Sequence, residues 1–140
     1  MTAPLETNKD IVRRYREAHN SNQLNLLDEI VAADLIAHNL LPNVPRGLEG
    51  GKMVHMGVIA SCPDLQTTTE DLFAEGDKVV ERWSMSMTHT GEPFLGAPAS
   101  GRRAQVSGTS IYRIAQGKIV EHWANMDFLG VLQQLGLAPS

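Results

Sequence analysis

The chain has 140 residues, of which 42% are hydrophobic and 20% are charged, and its net charge is −4. This length and composition predict a single domain over residues 1–140 that buries its own core without disulfides or metal ions. The acidic balance excludes nucleic acid as a partner, since the nearest basic cluster is Arg102-Arg103, and no run approaches the ~20 apolar residues of a membrane span.

Helical spacing of apolar residues dominates the first part of the chain. Three helices are predicted there, over Asn8–Asn20, Leu24–Ala33 and Leu48–Ser61. Asn8 is the expected N-cap of the first helix, and Met53 and Met56 of the third are expected to be buried. Between the second and third helices, Asp34–Pro42 is predicted to be an extended link that runs into a Pro-rich loop, Pro42–Gly47.

From Leu65 onwards the apolar period changes to two, which is typical of strands. Four strands are predicted, over Leu65–Phe73, Val79–Thr90, Arg102–Ile114 and Ile119–Asn125. Glu75–Lys78 and Ala115–Lys118 have the composition of hairpin turns, and Gly108 is expected to mark a bulge. Asp127 is the expected cap of a final helix that runs to Leu135.

Helices followed by a run of strands indicate an α+β fold, with N-terminal helices on one face of a curved antiparallel sheet. A strongly curved sheet roofed by helices encloses a cone-shaped pocket. The sequence therefore predicts a protein that holds a small hydrophobic molecule, and we expect its chemistry on the C-terminal hairpin.

His122 is the first candidate for catalysis. Strand alternation places it on one face with Val120 and Ala124, and places Glu121, Trp123 and Asn125 on the other. A neutral imidazole in an apolar cavity can exchange a proton near neutral pH. The alternative is a structural histidine that only forms a hydrogen bond across the sheet.

Two further residues are candidates for holding a substrate oxygen. His38 is expected at the mouth of the cone, where it would orient a carbonyl or a water; otherwise it is a polar loop residue that anchors Asn39. Tyr112 would donate to a developing oxyanion if its hydroxyl faces the cavity. The alternative is an aromatic side chain that fills the core.

Six more residues are expected to line the pocket. They are His19, His55, Trp83, Met85, Ser110 and Ala124. His19 is one turn after Tyr15, so both point the same way, although a histidine there also suits a helix C-terminus. His55 is equally consistent with a core or surface position. Trp83 and Met85 form an apolar stripe that also suits a core or a dimer face.

No motif in the sequence indicates a metal ion or a cofactor. No His, Cys, Asp or Glu group has structural-zinc spacing, and no phosphate loop or nucleophile elbow is present. The start of the chain, Met1–Asp10, is polar and lacks the apolar segment of a secretory signal. The single cysteine, Cys62, excludes an internal disulfide and fits a reducing compartment, so we expect a cytoplasmic protein.

A series of short motifs, in this order and at this spacing, resembles the SnoaL-like branch of the NTF2-like (cystatin-like cone) superfamily, roughly over Asn8 to Gly136. The motifs are Asp34 with His38, Cys62–Leu65, Glu75–Val80, Arg82-Trp83, Thr88–Gly91, Gly96–Pro98, Gly101–Arg103, Tyr112-Arg113, Gly117–Trp123 and Gln133–Gly136. Each motif alone carries little information, and the resemblance rests on their combination.

The resemblance implies a homodimer with a hydrophobic pocket, and members of the branch include aldol cyclases of aromatic polyketides that use no cofactor. In those cyclases an aspartate two positions past the residue matching His122 does the acid–base work, and that position is Ala124 here. The positions that supply a Gln and a His there are Gly108 and Ser110 here. This chain therefore departs from the cyclase pattern at its central residue.

Three functions remain open at this point. The first is a cofactor-free cyclase, isomerase or hydrolase acting on a small carbonyl, ester or epoxide compound, with His122 as acid or base and Tyr112 or His38 on the oxygen. The second is a ligand-binding dimer without chemistry, favoured by Ala124. The third is an association module, disfavoured because no linker or second domain is predicted.

Overall fold

The strands form one curved sheet with the long helices packed on its inner face, in a computed structural model that describes residues 5–38 and 43–139. The helices are α1 (Leu5–Asn20), α2 (Leu27–Ile30), α3 (Gly47–Ser61) and α4 (Phe128–Gln134), with a 3₁₀ turn at Leu24–Leu26. The strands are β1 (Val31–Ala37), β2 (Gln66–Glu75), β3 (Lys78–Thr88), β4 (Arg103–Ala115) and β5 (Lys118–Met126). The α+β class and the N-terminal helices on a curved sheet are confirmed.

The sheet has the order β1-β5-β4-β3-β2. The predicted four-strand antiparallel meander is present as β2 to β5, and β1 adds a fifth strand parallel to β5. No helix among the residues described is long and apolar enough to cross a membrane.

The strand β1 corrects the prediction of a second helix up to Ala33. The helix α2 ends at Ile30, and the chain pairs from Val31, opposite Ile119, to Ala37, opposite His122. A short apolar run is compatible with either a helix or a buried strand. Here the segment is a strand because it is buried against β5. The first part of the predicted extended link, positions 34–38, is strand and turn. The rest of the link, positions 39–42, which includes the first residue of the Pro-rich loop, lies outside the described residues.

Two local predictions in the helices are wrong. The helix α1 begins at Leu5, so Asn8 lies inside it and is buried rather than capping its end. The main contact of the helix α3 is with β1, and its Met53 and Met56 lie on the solvent side, 56% and 61% exposed rather than buried. At the other end of the chain, the Asp127 cap of α4 is confirmed, since its carboxylate accepts from the Gly130 amide at 2.9 Å.

Gly108 does not form the predicted bulge. It pairs in register with Trp83 on β3 and Met126 on β5. A Cβ at Gly108 would lie 2.4 Å from Trp83 Cζ2, so glycine is required because the indole ring packs directly on the backbone.

The register between β4 and β5 shifts between Arg113 and Ile114. Ile114 faces Ile119, and Arg113 faces Glu121, so Val120 is the extra residue of β5. Ile119, which is buried, takes the inner-face position that alternation alone assigned to Val120. His122 stays on the inner face, opposite Tyr112.

Candidate functional site

His122 lies on the inner face of β5, against aromatic neighbours. Its ring stacks on Tyr112 of β4, with centroids 4.7 Å apart and planes 4° apart. Tyr15 of α1 presents its ring edge-on at 6.1 Å. The buried Nε2 of His122 has no hydrogen-bond partner within the described part of the chain. A buried polar nitrogen without a protein partner needs a ligand or an ordered water to satisfy it.

Two more imidazoles lie beside the same aromatic wall. The His19 ring of α1 is 4.3 Å from the Tyr15 ring and 5.0 Å from the His55 ring of α3. His19, His55 and His122, together called the histidine cluster, are all partly exposed, as is Tyr15. Part of each of these four side chains is therefore accessible to solvent.

The histidine cluster is neutral at physiological pH. Burial, together with the positive charge of Arg16, lowers the pKa of His19 and of His122 to about 4. Burial and Arg16 also lower the pKa of His55. The three rings are therefore neutral hydrogen-bonding groups rather than cations.

A fully buried carboxylate lies next to the histidine cluster. Glu81 of β3 accepts four hydrogen bonds, from Arg16 Nε and Nη2 (3.0 and 2.7 Å), Tyr112 Oη (2.7 Å) and Thr69 Oγ1 (2.7 Å). We call Arg16, Thr69, Glu81 and Tyr112 the Glu81 cluster. Burial raises the pKa of Glu81, but Arg16 and the hydroxyl donors outweigh burial and bring it below its ordinary value.

The hydroxyl of Tyr112 does not face the cone, so Tyr112 cannot donate to a substrate oxyanion there as the sequence analysis expected. The residue is fully buried, its proton is donated to Glu81, and the same oxygen accepts from Arg16 at 3.3 Å. Burial raises the pKa of the phenol well above its usual value. Tyr112 therefore supports the His122 ring by stacking rather than contacting a substrate.

His38 is not at the mouth of the cone. It follows β1 on the outer face of the sheet, where its Nε2 is 2.6 Å from Glu121 Oε2 and its ring stacks on Trp123 at 4.8 Å. Glu121 also accepts from Arg113 Nε at 2.8 Å. Because Glu121 and Trp123 face away from the His122 side chain, the structure separates His38 from the histidine cluster.

The remaining predicted pocket residues lie deeper or farther along the sheet. Trp83 and Ser110 are buried, and the indole Nε1 donates to Ser110 Oγ at 2.9 Å. Ala124 pairs with Ser110 and is partly exposed. Met85 packs on a second apolar cluster around Cys62 rather than beside the histidines. Across positions 5–38 and 43–139, no three metal-ligating side chains group together.

The sequence analysis missed Arg16 and Glu81 as members of the site. The available signal was Glu81 itself, a carboxylate at an inward position of β3 between Val79 and Trp83. Such a residue is almost never fully buried without a partner. Its partner, 65 positions earlier on α1, has no local signature.

Helices packed on one face of a curved five-strand sheet, with histidines and a buried carboxylate on that face, define the class of α+β cone folds. The chain belongs to the SnoaL-like polyketide cyclase family, whose family model matches residues 9–135. It is 27% identical over 136 residues to the aklanonic acid methyl ester cyclase DnrD of Streptomyces peucetius, covering 94% of this chain and 92% of that protein.

Solved structures agree with this assignment. TsrD from Streptomyces laurentii is 33% identical and superposes with a TM-score of 0.86 over 97% of this chain and 99% of that one. Wild-type IdmH from Streptomyces antibioticus is 33% identical with a TM-score of 0.81, covering 92% of this chain and 98% of that one. The NTF2-like cone predicted from the motifs is thereby confirmed.

Proposed function

We propose that this protein closes a ring in a polyketide-derived carbonyl compound by acid–base catalysis in the cone, without a cofactor. The single observation that carries the proposal is the buried His122 Nε2, which no described residue satisfies. A neutral imidazole at that point can exchange a proton with, or donate a hydrogen bond to, a substrate oxygen. The name of DnrD supports the reaction type.

The surroundings of His122 support a hydrophobic aromatic or polycyclic substrate. The rings of Tyr15 and Tyr112 flank the imidazole, and Trp83 lies farther along the inner face. Apolar walls with few polar groups orient a ligand and exclude water from it. Because the Tyr112 hydroxyl donates its proton to Glu81, the histidine cluster supplies the hydrogen bond to the substrate oxygen.

The test of this function uses aklanonic acid methyl ester, the compound in the name of DnrD, as substrate. We expect turnover by the wild-type protein and a loss of roughly 100-fold or more in kcat/KM for His122→Asn, because general acid–base catalysis contributes ~10²–10⁴. His38→Asn, on the outer face, is the matched control and should retain the rate. Undiminished turnover by His122→Asn would remove His122 from the mechanism.

A ligand-binding protein without turnover is the second candidate function. One observation favours it: the position of the cyclase aspartate is Ala124. Calorimetry with the same ester, followed by mass and NMR analysis of the recovered compound, separates the two functions. Tight binding with an unchanged compound supports the second function, whereas a cyclised product excludes it.

We also propose that the protein is a homodimer formed by the outer face of the sheet. Phe73, Val80, Ile111 and Trp123 are cross-strand neighbours that make one apolar row over four strands, called here the outer row. Phe73 is 62% exposed, and the other three are partly exposed. A contiguous exposed apolar row is typical of a protein–protein interface.

A charge in the outer row is expected to break this dimer. Ile111→Glu would bury an unpaired carboxylate between two copies, and should weaken self-association by roughly 100-fold or more. Light scattering after gel filtration gives the mass, which should fall to the 15.3 kDa of one chain. Glu17→Lys, an exposed change on α1, is the control. A dimer that survives Ile111→Glu unchanged would place the interface elsewhere.

A further inference from the structure

We propose that His19 Nε2 is the proton acceptor of the reaction, while a ring N–H of His122 holds the substrate oxygen. This inference rests on the proposed function and divides the acid–base work between two histidines. It assigns the role of the missing aspartate to α1, a different element from the strand that carries Ala124.

The tautomer of His19 is fixed by its own helix. Its Nδ1 lies 2.8 Å from the backbone carbonyl oxygen of Tyr15, and a carbonyl oxygen only accepts. The Nδ1 atom must therefore carry the proton, which leaves Nε2 of the neutral ring with a lone pair. That carbonyl is the sole hydrogen-bond partner of the His19 ring among the residues described here. A fixed tautomer with a free lone pair is the requirement for a general base.

His19 and His122 lie against the same aromatic side chain. Their rings contact the same Tyr15 ring, at 4.3 and 6.1 Å between centroids. A substrate lying against Tyr15 is therefore within reach of both imidazoles. The charged and titratable groups that face His19 are Arg16 on its own helix, His55 on α3 and His122 on β5.

The step balances with the groups present. His19 Nε2 takes a proton from the carbon next to a carbonyl group, and the C–H electron pair forms the enolate, whose oxygen accepts from His122. The enolate carbon then attacks a second carbonyl carbon of the same molecule, forming the new C–C bond. The resulting alkoxide takes the proton back from His19, which returns to its neutral tautomer.

The environment of His19 also narrows the substrate class. Burial lowers the pKa of its ring to about 4, which makes the neutral imidazole a weak base. A weak base removes a proton from carbon only when the resulting anion is strongly stabilised. The proposal therefore selects substrates whose acidic C–H is flanked by two electron-withdrawing groups, such as two carbonyls.

The test uses nitrobenzisoxazole, an apolar probe whose ring opens to a coloured phenolate when a base removes its one acidic C–H proton. Wild-type protein should accelerate the opening with saturation. His19→Asn keeps a donor for the Tyr15 carbonyl but lacks the Nε2 lone pair, and should lose at least about 100-fold of the saturable rate. His38→Asn should retain it. A full rate in a folded His19→Asn variant, or no saturable rate in the wild type, overturns the proposal.

A second measurement needs no variant. The saturable rate of the wild type should be constant near neutral pH and fall with a midpoint near the His19 pKa of about 4; a midpoint near the ordinary imidazole value of 6.5 would contradict it. The probe also separates this inference from the proposed function. If the protein opens the probe but does not cyclise the ester, the proposed cyclase function is refuted and the role of His19 as a base is retained. If His19→Asn cyclises the ester at the full rate, only the role of His19 is refuted.

Discussion

Replacing Glu81 by alanine should lower the free energy of unfolding by about 3–5 kcal/mol, the usual cost of removing one partner from a buried ion pair. The carboxylate is fully buried and compensates Arg16, whose side chain is 16% exposed. Its loss leaves the guanidinium without a counter-charge, and leaves the Tyr112 and Thr69 hydroxyls without an acceptor. Urea denaturation at neutral pH measures the change.

Two matched variants make this prediction specific to charge. Glu81→Gln keeps the shape and a carbonyl acceptor but not the charge, and should still lose most of the stability that Glu81→Ala loses. Thr69→Val removes one of the four hydrogen bonds and should cost about 1 kcal/mol. If Glu81→Gln were as stable as the wild type, hydrogen bonding rather than the ion pair would hold the Glu81 cluster together.

Stability should fall as the pH drops from about 6.5 towards about 4. His19 and His122 have a pKa of about 4 in the fold and the ordinary 6.5 in the unfolded chain. Between these values the unfolded chain binds more protons than the folded one, so protons favour unfolding. The stability that the two neutral histidines contribute is therefore fully present above pH 6.5. It is lost as the pH falls from there to the folded pKa of about 4.

A series of urea denaturations between about pH 7 and about pH 4.5 measures this slope. The double variant His19→Asn/His122→Asn removes both titrating rings and should flatten the curve in that window. Glu81, whose pKa is lowered in the fold, loses its own contribution only below its unfolded value of 4.5. A double variant with the wild-type slope would place the acid sensitivity outside the histidine cluster.

Much of the fold is predictable from the sequence because period and turn chemistry are local signals. The strands β2 to β5, the helices α1 and α3, and the Asp127 cap all follow from them. The strand β1 does not, since its apolar residues Val31 and Leu35 fit a helix as well as a strand until β5 is beside them. The pairing with β5 decides that this segment is a strand, and no local sequence pattern encodes that pairing.

The same limit applies to the site. Alternation along β5 was enough to place His122 on the inner face, opposite Tyr112. Missing β1 as a strand led to the wrong place for His38, which continues that strand on the outer face beside Trp123. The fate of the Tyr112 hydroxyl depends on Arg16 and Glu81, which lie far apart in the chain. Such contacts follow only from three-dimensional packing.

The pairing of β1 with β5 also has a consequence for how the chain reaches its native state. The partner of Val31 is Ile119, so this part of the sheet closes only after the chain as far as Ile119 has left the ribosome. Until then the apolar surface of Ile30 and Val31, almost completely covered in the native fold, has no strand to cover it. Contacts between distant parts of a chain form slowly, and exposed apolar strands aggregate meanwhile. We therefore expect nascent chains that stall before Lys118 to need chaperones.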